Sequence, residues 1–288
     1  MSETWTIRRM IRWIADDLAP RGIGSPRLDA ELIVALALAV DRVRLYLDLD
    51  RPLNASELAE IRALVARRRK REPMAYLRGL REFYGRDMIV SPAVLVPRPD
   101  TETLVERALA ILAKDSAARV LDLCTGSGCI GVTLLVERPG IHATLTDRSR
   151  DALAIAEQNA AKHAVTDRAA FCEGDLFDAL APALAPFDMI VANPPYLSDA
   201  ERADLEPDVR DFEPGMALFA GADGLSFVRR IATEASVQLA PGGHVLVEIG
   251  AGQGELARKA FEAAGWKDVV VHQDLGGRDR VVEGTRST

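Results

Sequence analysis

The sequence predicts an α/β protein: a mostly parallel, doubly wound sheet preceded by a small bundle of helices. Two observations support this fold class. From Arg119 onward, short apolar runs alternate with segments of helical periodicity, and strands that are apolar on both faces are typical of parallel sheets covered on both sides. Before residue 75, apolar residues recur with helical spacing instead. The 288 residues are enough for one large and one smaller domain.

The N-terminal segment, residues 1–75, is predicted to form a bundle of three or four helices. The apolar face of its first helix consists of Ile7, Ile11, Ile14 and Leu18. Ser25 and Pro26 are a typical N-cap and first residue for a second helix. The apolar stripe predicted for that helix is Leu28, Leu32 and Leu36. A third helix is expected to begin at Asn54, which has the capping-box spacing to Glu57.

Residues 76–98 are predicted to form a hairpin and an inter-domain linker, and residues 99–288 the larger domain. Aromatic and β-branched residues flank Gly85, a pattern that favours a short hairpin. The stretch "SPAVLVPRP" is too rich in proline for regular structure. The strands expected beyond it are "RVLDLC", "HATLTD", "AAFCEG", "FDMIVAN" and "GHVLVEIG", followed by a terminal hairpin in "KDVVVHQDLGGRDRVVEG". The helices expected between them are roughly Cys129–Glu137, Arg150–His163, Gly224–Ala240 and Gln253–Ala264.

The composition and charge of the chain argue against several classes of protein. The net charge is −7, with +4 in the first 90 residues and −11 in the remainder, whereas a general nucleic-acid binder is usually basic. No apolar run is long enough to predict a membrane span, and no secretory signal is recognised. Three cysteines without a C-x-x-C pair and four scattered histidines predict neither a disulfide framework nor a metal site. A cytoplasmic location is therefore expected.

The ends of the predicted strands carry the informative polar residues, because ligands of such sheets bind at the carboxyl ends of the strands. The first strand runs into "LDLCTGSGCIG", where Gly126 and Gly128 allow the backbone to approach a ligand. Asp147 follows 19 residues after Gly128 at the end of the second strand, where an acid can accept both hydroxyls of a ribose. Together these features predict a nucleoside site. The ligand could be a dinucleotide or S-adenosylmethionine, although C-x-G-x-G departs from the dinucleotide pattern.

Two further strand ends refine the site. Asp175 follows the third strand and could accept a hydrogen bond from an adenine amino group. The fourth strand ends in "NPPY", Asn193 to Tyr196, where two prolines stiffen the chain and hold it extended. The side-chain oxygen of Asn193 and the carbonyl of Pro194 could take the two N–H bonds of a substrate NH₂, with Tyr196 packed on its plane. Such an arrangement would hold a weakly nucleophilic planar nitrogen against an electrophilic methyl group.

These motifs resemble the amino-methyltransferases that use S-adenosylmethionine. Within them, nearly the whole chain resembles the family that methylates the glutamine of the Gly-Gly-Gln motif in class I peptide chain release factors. The similar segments are "FYGRDMIVSPAVLVPRPDTETLVE", "VLDLCTGSG", "DRSRDAL", "GDLFDAL", "NPPY" and "DVRDFEPGMAL". The "RPDTE" at Arg98–Glu102 differs from the equivalent segment of the related ribosomal-protein glutamine methyltransferases.

The resemblance implies a class I S-adenosylmethionine-dependent methyltransferase fold and a set of site residues. The methionine end of the cofactor would be held by Asp122, Cys124, Thr125, Gly126, Ser127 and Gly128, the ribose by Asp147, and the adenine by Asp175 and Leu176. The target glutamine amide would be held by Asn193, Pro194, Pro195 and Tyr196, with Asn193 also near the cofactor. Cys124 stands where the family usually has glycine, and since a cysteine disfavours positive φ, a conventional backbone is expected there.

The resemblance also implies that the helical domain helps to dock a release factor. The candidate contact is the basic run Arg67–Arg71, although cations at a helix C-terminus are favourable without any partner. Three alternatives remain open on sequence alone: methylation of a ribosomal-protein glutamine, methylation of adenine N6 in nucleic acid, and a non-catalytic protein that senses the cofactor.

Overall fold

The computed structural model describes residues 4–181 and 186–287. The helices are α1 (Ile7–Leu18), α2 (Pro26–Ala37), α3 (Arg42–Leu47), α4 (Ala55–Arg69), α5 (Met74–Arg78), α6 (Glu102–Ile111), α7 (Cys129–Glu137), α8 (Arg150–Lys162), α9 (Pro207–Phe212), α10 (Ser226–Glu234) and α11 (Gly254–Ala263). The strands are β1 (Leu80–Phe83), β2 (Arg86–Ile89), β3 (Arg119–Leu123), β4 (His142–Asp147), β5 (Ala169–Glu173), β6 (Phe187–Ala192), β7 (Leu239–Glu248), β8 (Lys267–Gln273) and β9 (Asp279–Thr285).

The chain divides into two compact units whose boundaries differ from the predicted ones. The first unit contains the residues up to Gly79 together with Pro207–Phe212. The second contains Leu80–Glu206 and the residues from Glu213 onward. Of the predicted hairpin and linker, residues 76–79 therefore belong to the first unit and residues 80–98 to the larger one. Its helix α10 ends at Glu234, earlier than expected, because the chain passes through a short 3₁₀ turn into β7.

The first unit is a helical bundle, as predicted, but its second helix buries a different face. The predicted apolar face of α1 is buried, and Asn54 and Glu57 form the capping box of α4. In α2, Leu28 and Leu36 are exposed, and the core is formed by Ala30, Ile33 and Val34. The stripe predicted for α2 was wrong because the buried face also carries an acidic residue, Asp29, which made that face look polar in the sequence.

Arginines of the basic run are paired inside this unit. Arg68 is buried and donates to Asp29 at 2.7 Å and to Asp208 at 2.6 Å. Arg71 also pairs with Asp208, so α9 is bound to the C-terminal end of α4 by two cations. Further pairs join Arg67 to Glu72 and Arg69 to Asp17. These contacts favour a structural role for most of the run over a docking role.

The second unit contains a sheet of the predicted type. Within the described residues it has seven strands in the order β5-β4-β3-β6-β7-β9-β8. The strands from β5 to β7 are parallel, and β9 pairs antiparallel with both β7 and β8. The strand order therefore reverses between β3 and β6, which is where a doubly wound sheet binds its ligand. The predicted hairpin of β1 and β2 is also present.

Helices cover both faces of this sheet. One face packs against residues of α6, α7 and α8, such as Leu104, Val132 and Ala156. The other packs against residues of α10 and α11, such as Val228 and Phe261. Because both faces are buried at the centre of the sheet, Met189–Ala192 of β6 and Val245–Val247 of β7 are continuously apolar. In the part of the chain that the structure describes, no helix has the length and apolarity to cross a membrane.

Replacing Arg68 with alanine is expected to lower the free energy of unfolding of the helical unit by about 3–5 kcal/mol, because the buried Asp29 would lose its hydrogen-bonded cation and Asp208 would keep only Arg71. Urea denaturation followed by the fluorescence of Trp5 and Trp13, which pack edge to face in this unit, measures the change. The matched control is Arg67→Ala, which removes a more exposed pair and should cost at most about 1 kcal/mol. Equal losses in the two variants would contradict the structural role assigned to Arg68.

Candidate functional site

The site lies at the carboxyl edge of the parallel strands. The strand β3 pairs in register with β4 and with β6, and β6 pairs with β7. The first residues beyond β3 and β6 are Cys124 and Asn193, and the last residues of β4 and β7 are Asp147 and Glu248. Sheet register alone therefore brings four chemically useful side chains to one edge.

A cleft of about 950 Å³, measured with its open mouth, lies at this edge. The predicted site residues that line it are Cys124, Thr125, Gly126, Ser127, Asp147, Asp175, Leu176, Asn193 and Pro195. The predicted residues that are not among its lining are Asp122, Gly128, Pro194 and Tyr196. Among the described residues, no group of three or more His, Cys, Asp or Glu side chains is placed to hold a metal ion.

Asp122 lies behind the glycine-rich turn. Its side chain is fully buried, and Oδ2 accepts hydrogen bonds from the Thr125 hydroxyl at 2.6 Å and from the Gly131 N–H at 2.9 Å. Burial raises the pKa of Asp122 to about 7, and these two hydrogen bonds oppose the rise. In this structure the Asp122 carboxyl is therefore not part of the cleft lining and holds the turn from within the protein.

The turn itself has an unusual backbone. Cys124 has φ +55°, as have Gly126 and Gly128 at +56° and +77°. The expectation of a conventional backbone at Cys124 was wrong. A non-glycine residue in the left-handed region costs about 1–3 kcal/mol and persists only where the surroundings impose it. Here the next residue, Thr125, donates its N–H to the carbonyl of Thr146 on β4 at 2.9 Å, which holds the chain in this path.

Asp147 has the hydrogen-bonding capacity that a ribose site requires. Its Oδ2 accepts from the Gly126 N–H at 2.9 Å, and its Oδ1 accepts from the Ser149 N–H at 2.8 Å. Burial raises the pKa of Asp147, and the backbone donors oppose the rise. A carboxylate offers about four lone-pair positions, so one on each oxygen remains available. Two neighbouring hydroxyls could occupy them.

The far wall of the cleft carries Asp175 and Leu176. Asp175 accepts a hydrogen bond from Arg230 at 2.8 Å, and both side chains are partly exposed. Leu176 is 2% exposed and has φ +51°, so a second left-handed residue shapes this cleft. Arg230 was not predicted as a site residue, because it lies on α10, far from Asp175 in sequence.

Asn193 is oriented by a hydrogen bond to a neighbouring helix. Its Nδ2 donates to the hydroxyl of Thr101 at 3.1 Å, and Thr101 is 1% exposed at the start of α6. Among the described residues, none donates a hydrogen bond to Asn193 Oδ1 or to the Pro194 carbonyl. Both acceptors predicted for a substrate NH₂ therefore remain available.

The chain beyond the two prolines is held by its neighbours as well. The Tyr196 carbonyl accepts from Gln253 Nε2 at 2.8 Å. Gly224 has φ +70°, and a Cβ at this position would lie 2.3 Å from the same carbonyl, so only glycine fits. The Tyr196 ring is partly buried, and burial raises the pKa of its hydroxyl to about 12. Tyr196 therefore stays neutral at physiological pH.

Sequence reasoning missed two buried polar residues that support the cleft. Glu213 accepts from the Val96 N–H at 3.2 Å and from Arg98 at 2.6 Å, which fixes the segment predicted as a linker along the cleft. Asn159 bonds to the backbone of Ile89 and donates to the Ser127 carbonyl at 2.8 Å. An asparagine on the buried, alanine-rich face of α8 was the signal that could have identified the second of these.

Comparison with known proteins places both units in described families. Residues 9–79 match the family model of the PrmC N-terminal domain, and residues 101–206 match the methyltransferase small domain. A solved methyltransferase structure from Pyrococcus furiosus aligns with a TM-score of 0.53 at 15% identity, covering 72% of this chain and 91% of that one. At that identity the likeness shows the fold alone.

Curated relatives are similar over the full chain. A release factor glutamine methyltransferase of Geobacter sulfurreducens is 45% identical over 98% of this chain and 97% of its own length. A release factor glutamine methyltransferase of Cereibacter sphaeroides is also 45% identical, over 92% of this chain and 93% of its own length. Both units are thus included in the similarity. With the glycine-rich turn, the acid of β4 and the NPPY segment in one cleft, the chain belongs to the release factor glutamine methyltransferase family.

Proposed function

We propose that the protein transfers a methyl group from S-adenosylmethionine to the side-chain amide nitrogen of the glutamine in the Gly-Gly-Gln motif of class I peptide chain release factors. The observation that carries the proposal is the pair of available acceptors, Asn193 Oδ1 and the Pro194 carbonyl, on a stiffened turn at the cleft. The relatives' names supply the substrate class.

The cleft fits S-adenosylmethionine, which supplies an electrophilic methyl carbon on a positively charged sulfur. Asp147 would accept the two ribose hydroxyls through its remaining lone pairs. The backbone of Cys124–Gly128 would approach the methionine end, since Gly126 has open space where a side chain would begin. Leu176 would pack against the adenine, and Asp175 would accept from its amino group. Asp122 would act indirectly, by holding the turn.

The segment after β6 would orient the substrate nitrogen for methyl transfer. A carboxamide nitrogen is a weak nucleophile because its lone pair is delocalised into the carbonyl group. Two acceptors that take both of its N–H bonds fix the NH₂ plane and favour positive charge as it grows on nitrogen. A strong base is not needed beforehand, because the N–H protons become acidic only as the new bond forms. Pro195 and Tyr196 would bound the space for the amide.

A cytoplasmic location is part of the same proposal. Cys124, Cys129 and Cys172 are all free thiols, which suits a reducing compartment. Burial raises the pKa of the Cys129 thiol to about 12, so this cysteine is inert at neutral pH.

Peptide mapping by mass spectrometry tests the proposed reaction directly. A release factor incubated with the protein and S-adenosylmethionine should gain one methyl group on the Gly-Gly-Gln glutamine. A release factor with that glutamine replaced by alanine is the matched control and should gain none. DNA, RNA and ribosomal proteins are offered in parallel, and preferential labelling of any of them would overturn the proposed substrate.

Asn193→Ala should reduce the rate of methyl transfer about 10²–10³-fold, the usual effect of removing one preorganised electrostatic contact to a transition state. The Kd for S-adenosylhomocysteine, measured by titration calorimetry, should change little. Asp199→Ala, a change at an exposed residue further along the same loop, serves as the control and should keep wild-type turnover. Unchanged turnover in Asn193→Ala would remove the amide clamp from the mechanism.

Asp147→Ala should weaken cofactor binding about 10- to 150-fold, because a hydrogen bond to a charged group contributes about 1.5–3 kcal/mol. Calorimetric titration with S-adenosylhomocysteine measures the Kd. Asp151→Ala removes an exposed acid from the first turn of the adjacent helix and should leave the Kd unchanged. If both variants bind as tightly as the wild type, the ribose is placed wrongly.

A further inference from the structure

Glu248 is a buried acid that the proposed reaction does not use. It is the last residue of β7, directly beside the end of β6. Its side chain is 0% exposed, and within the described part of the chain neither carboxyl oxygen makes a hydrogen bond of normal geometry. A buried polar group without a partner is rare in proteins, so its presence beside a functional turn calls for an explanation.

Thr101 connects Glu248 to the clamp. Its hydroxyl accepts the hydrogen bond from Asn193 Nδ2, and the same hydroxyl lies close enough to the Glu248 carboxyl to lower its pKa. Burial acts in the opposite direction and is stronger, raising the pKa of Glu248 to about 7. Three groups thus form a row: the carboxyl of Glu248, the hydroxyl of Thr101 and the carboxamide of Asn193.

The direction of the hydrogen bonds in this row determines whether the Asn193 carboxamide presents its oxygen or its NH₂ to the cleft. A carboxamide has an accepting oxygen and a donating NH₂ of similar size, so either end can face a hydroxyl. If the Thr101 oxygen accepts from Asn193, the Asn193 oxygen is left for the substrate. If Thr101 instead donates to Asn193 Oδ1, the carboxamide reverses and presents NH₂ to the substrate NH₂, where neither group can accept.

We propose that Glu248 is a positioning residue that sets this direction: by accepting the hydroxyl proton of Thr101, it makes the Thr101 oxygen an acceptor and turns Asn193 Oδ1 toward the substrate amide. An ionised carboxylate can only accept, so it specifies the orientation of Thr101 without ambiguity. This inference rests on the proposed function, and it assigns to Glu248 a role in the accepting geometry of the clamp.

This role of Glu248 predicts that kcat depends on pH, because the protonated carboxyl carries an O–H group that can donate a hydrogen bond. A protonated carboxyl can donate to the Thr101 oxygen, and Thr101 is then free to donate to Asn193 and reverse it. With the pKa of Glu248 near 7, kcat should be full above that pH and should fall as the pH is lowered through it. Among the described residues, the charged or titratable groups that interact electrostatically with Glu248 include Arg98, Asp100, Cys129, Tyr196 and Arg280.

Variants of Thr101 and of Glu248 test the proposed row of hydrogen bonds. Thr101→Val removes the hydroxyl at nearly constant volume and should lower kcat about 10- to 100-fold, the order expected for one hydrogen bond in a charged network, with little change in the KM for the release factor. Thr101→Ser keeps the hydroxyl and should recover most of the rate. Glu248→Gln does not titrate and, like the protonated acid, carries a donor, so kcat should be low at every pH and the decline below pH 7 should disappear.

The controls separate the possible failures. The Kd for S-adenosylhomocysteine shows whether each variant retains its fold, and the threonine variants suffice if Glu248→Gln does not fold. Asp122, whose pKa burial also raises to about 7, is the competing origin of an acidic decline. A decline unchanged in Glu248→Gln, or equal rates in Thr101→Val and wild type, overturns the inference. Absence of methylation by the wild type would instead overturn the proposed function.

Discussion

A single hydrogen bond, from the Asn193 amide to the Thr101 hydroxyl, determines which atom of the proposed clamp residue faces the cleft. Its two partners come from different elements, the end of β6 and the start of α6. The bond therefore exists only when the sheet has the correct register and the helix lies correctly on it. The proposed chemistry of a weakly nucleophilic nitrogen depends on this agreement, since an amide held the other way would repel its substrate.

The opposite side of the cleft is organised by backbone conformation. Cys124 and Leu176 both have positive φ without being glycine, and strain of this kind is concentrated at functional sites. The buried carboxyl of Asp122 and the partly buried carboxyl of Asp147 each accept two hydrogen bonds around the turn. Both carboxyls thus stabilise an otherwise unfavourable path, and Asp147, which lines the cleft, also keeps acceptor capacity on that side.

Much of the fold and the site could be predicted from the sequence. The apolar strands and the residues just beyond them, such as Gly126, Asp147 and Asn193, are defined by local pattern and by the geometry of parallel sheets. Thr101 and Glu248 could not be assigned in this way, because their significance arises from contacts between distant segments. The left-handed Cys124 and the acid-bearing buried face of α2 escaped prediction for a related reason: tertiary contacts overrode the local preference of each residue.

The passage of α9 into the helical unit means that neither unit is one continuous stretch of polypeptide. The chain crosses between the units three times, once near Gly79 and once on each side of Pro207–Phe212. A fragment ended at Gly79 would lack Asp208 and leave Arg68 with one acidic partner instead of two. Exchange of the N-terminal region between relatives would therefore succeed only if this six-residue helix were exchanged with it, so the two segments are expected to evolve as a unit.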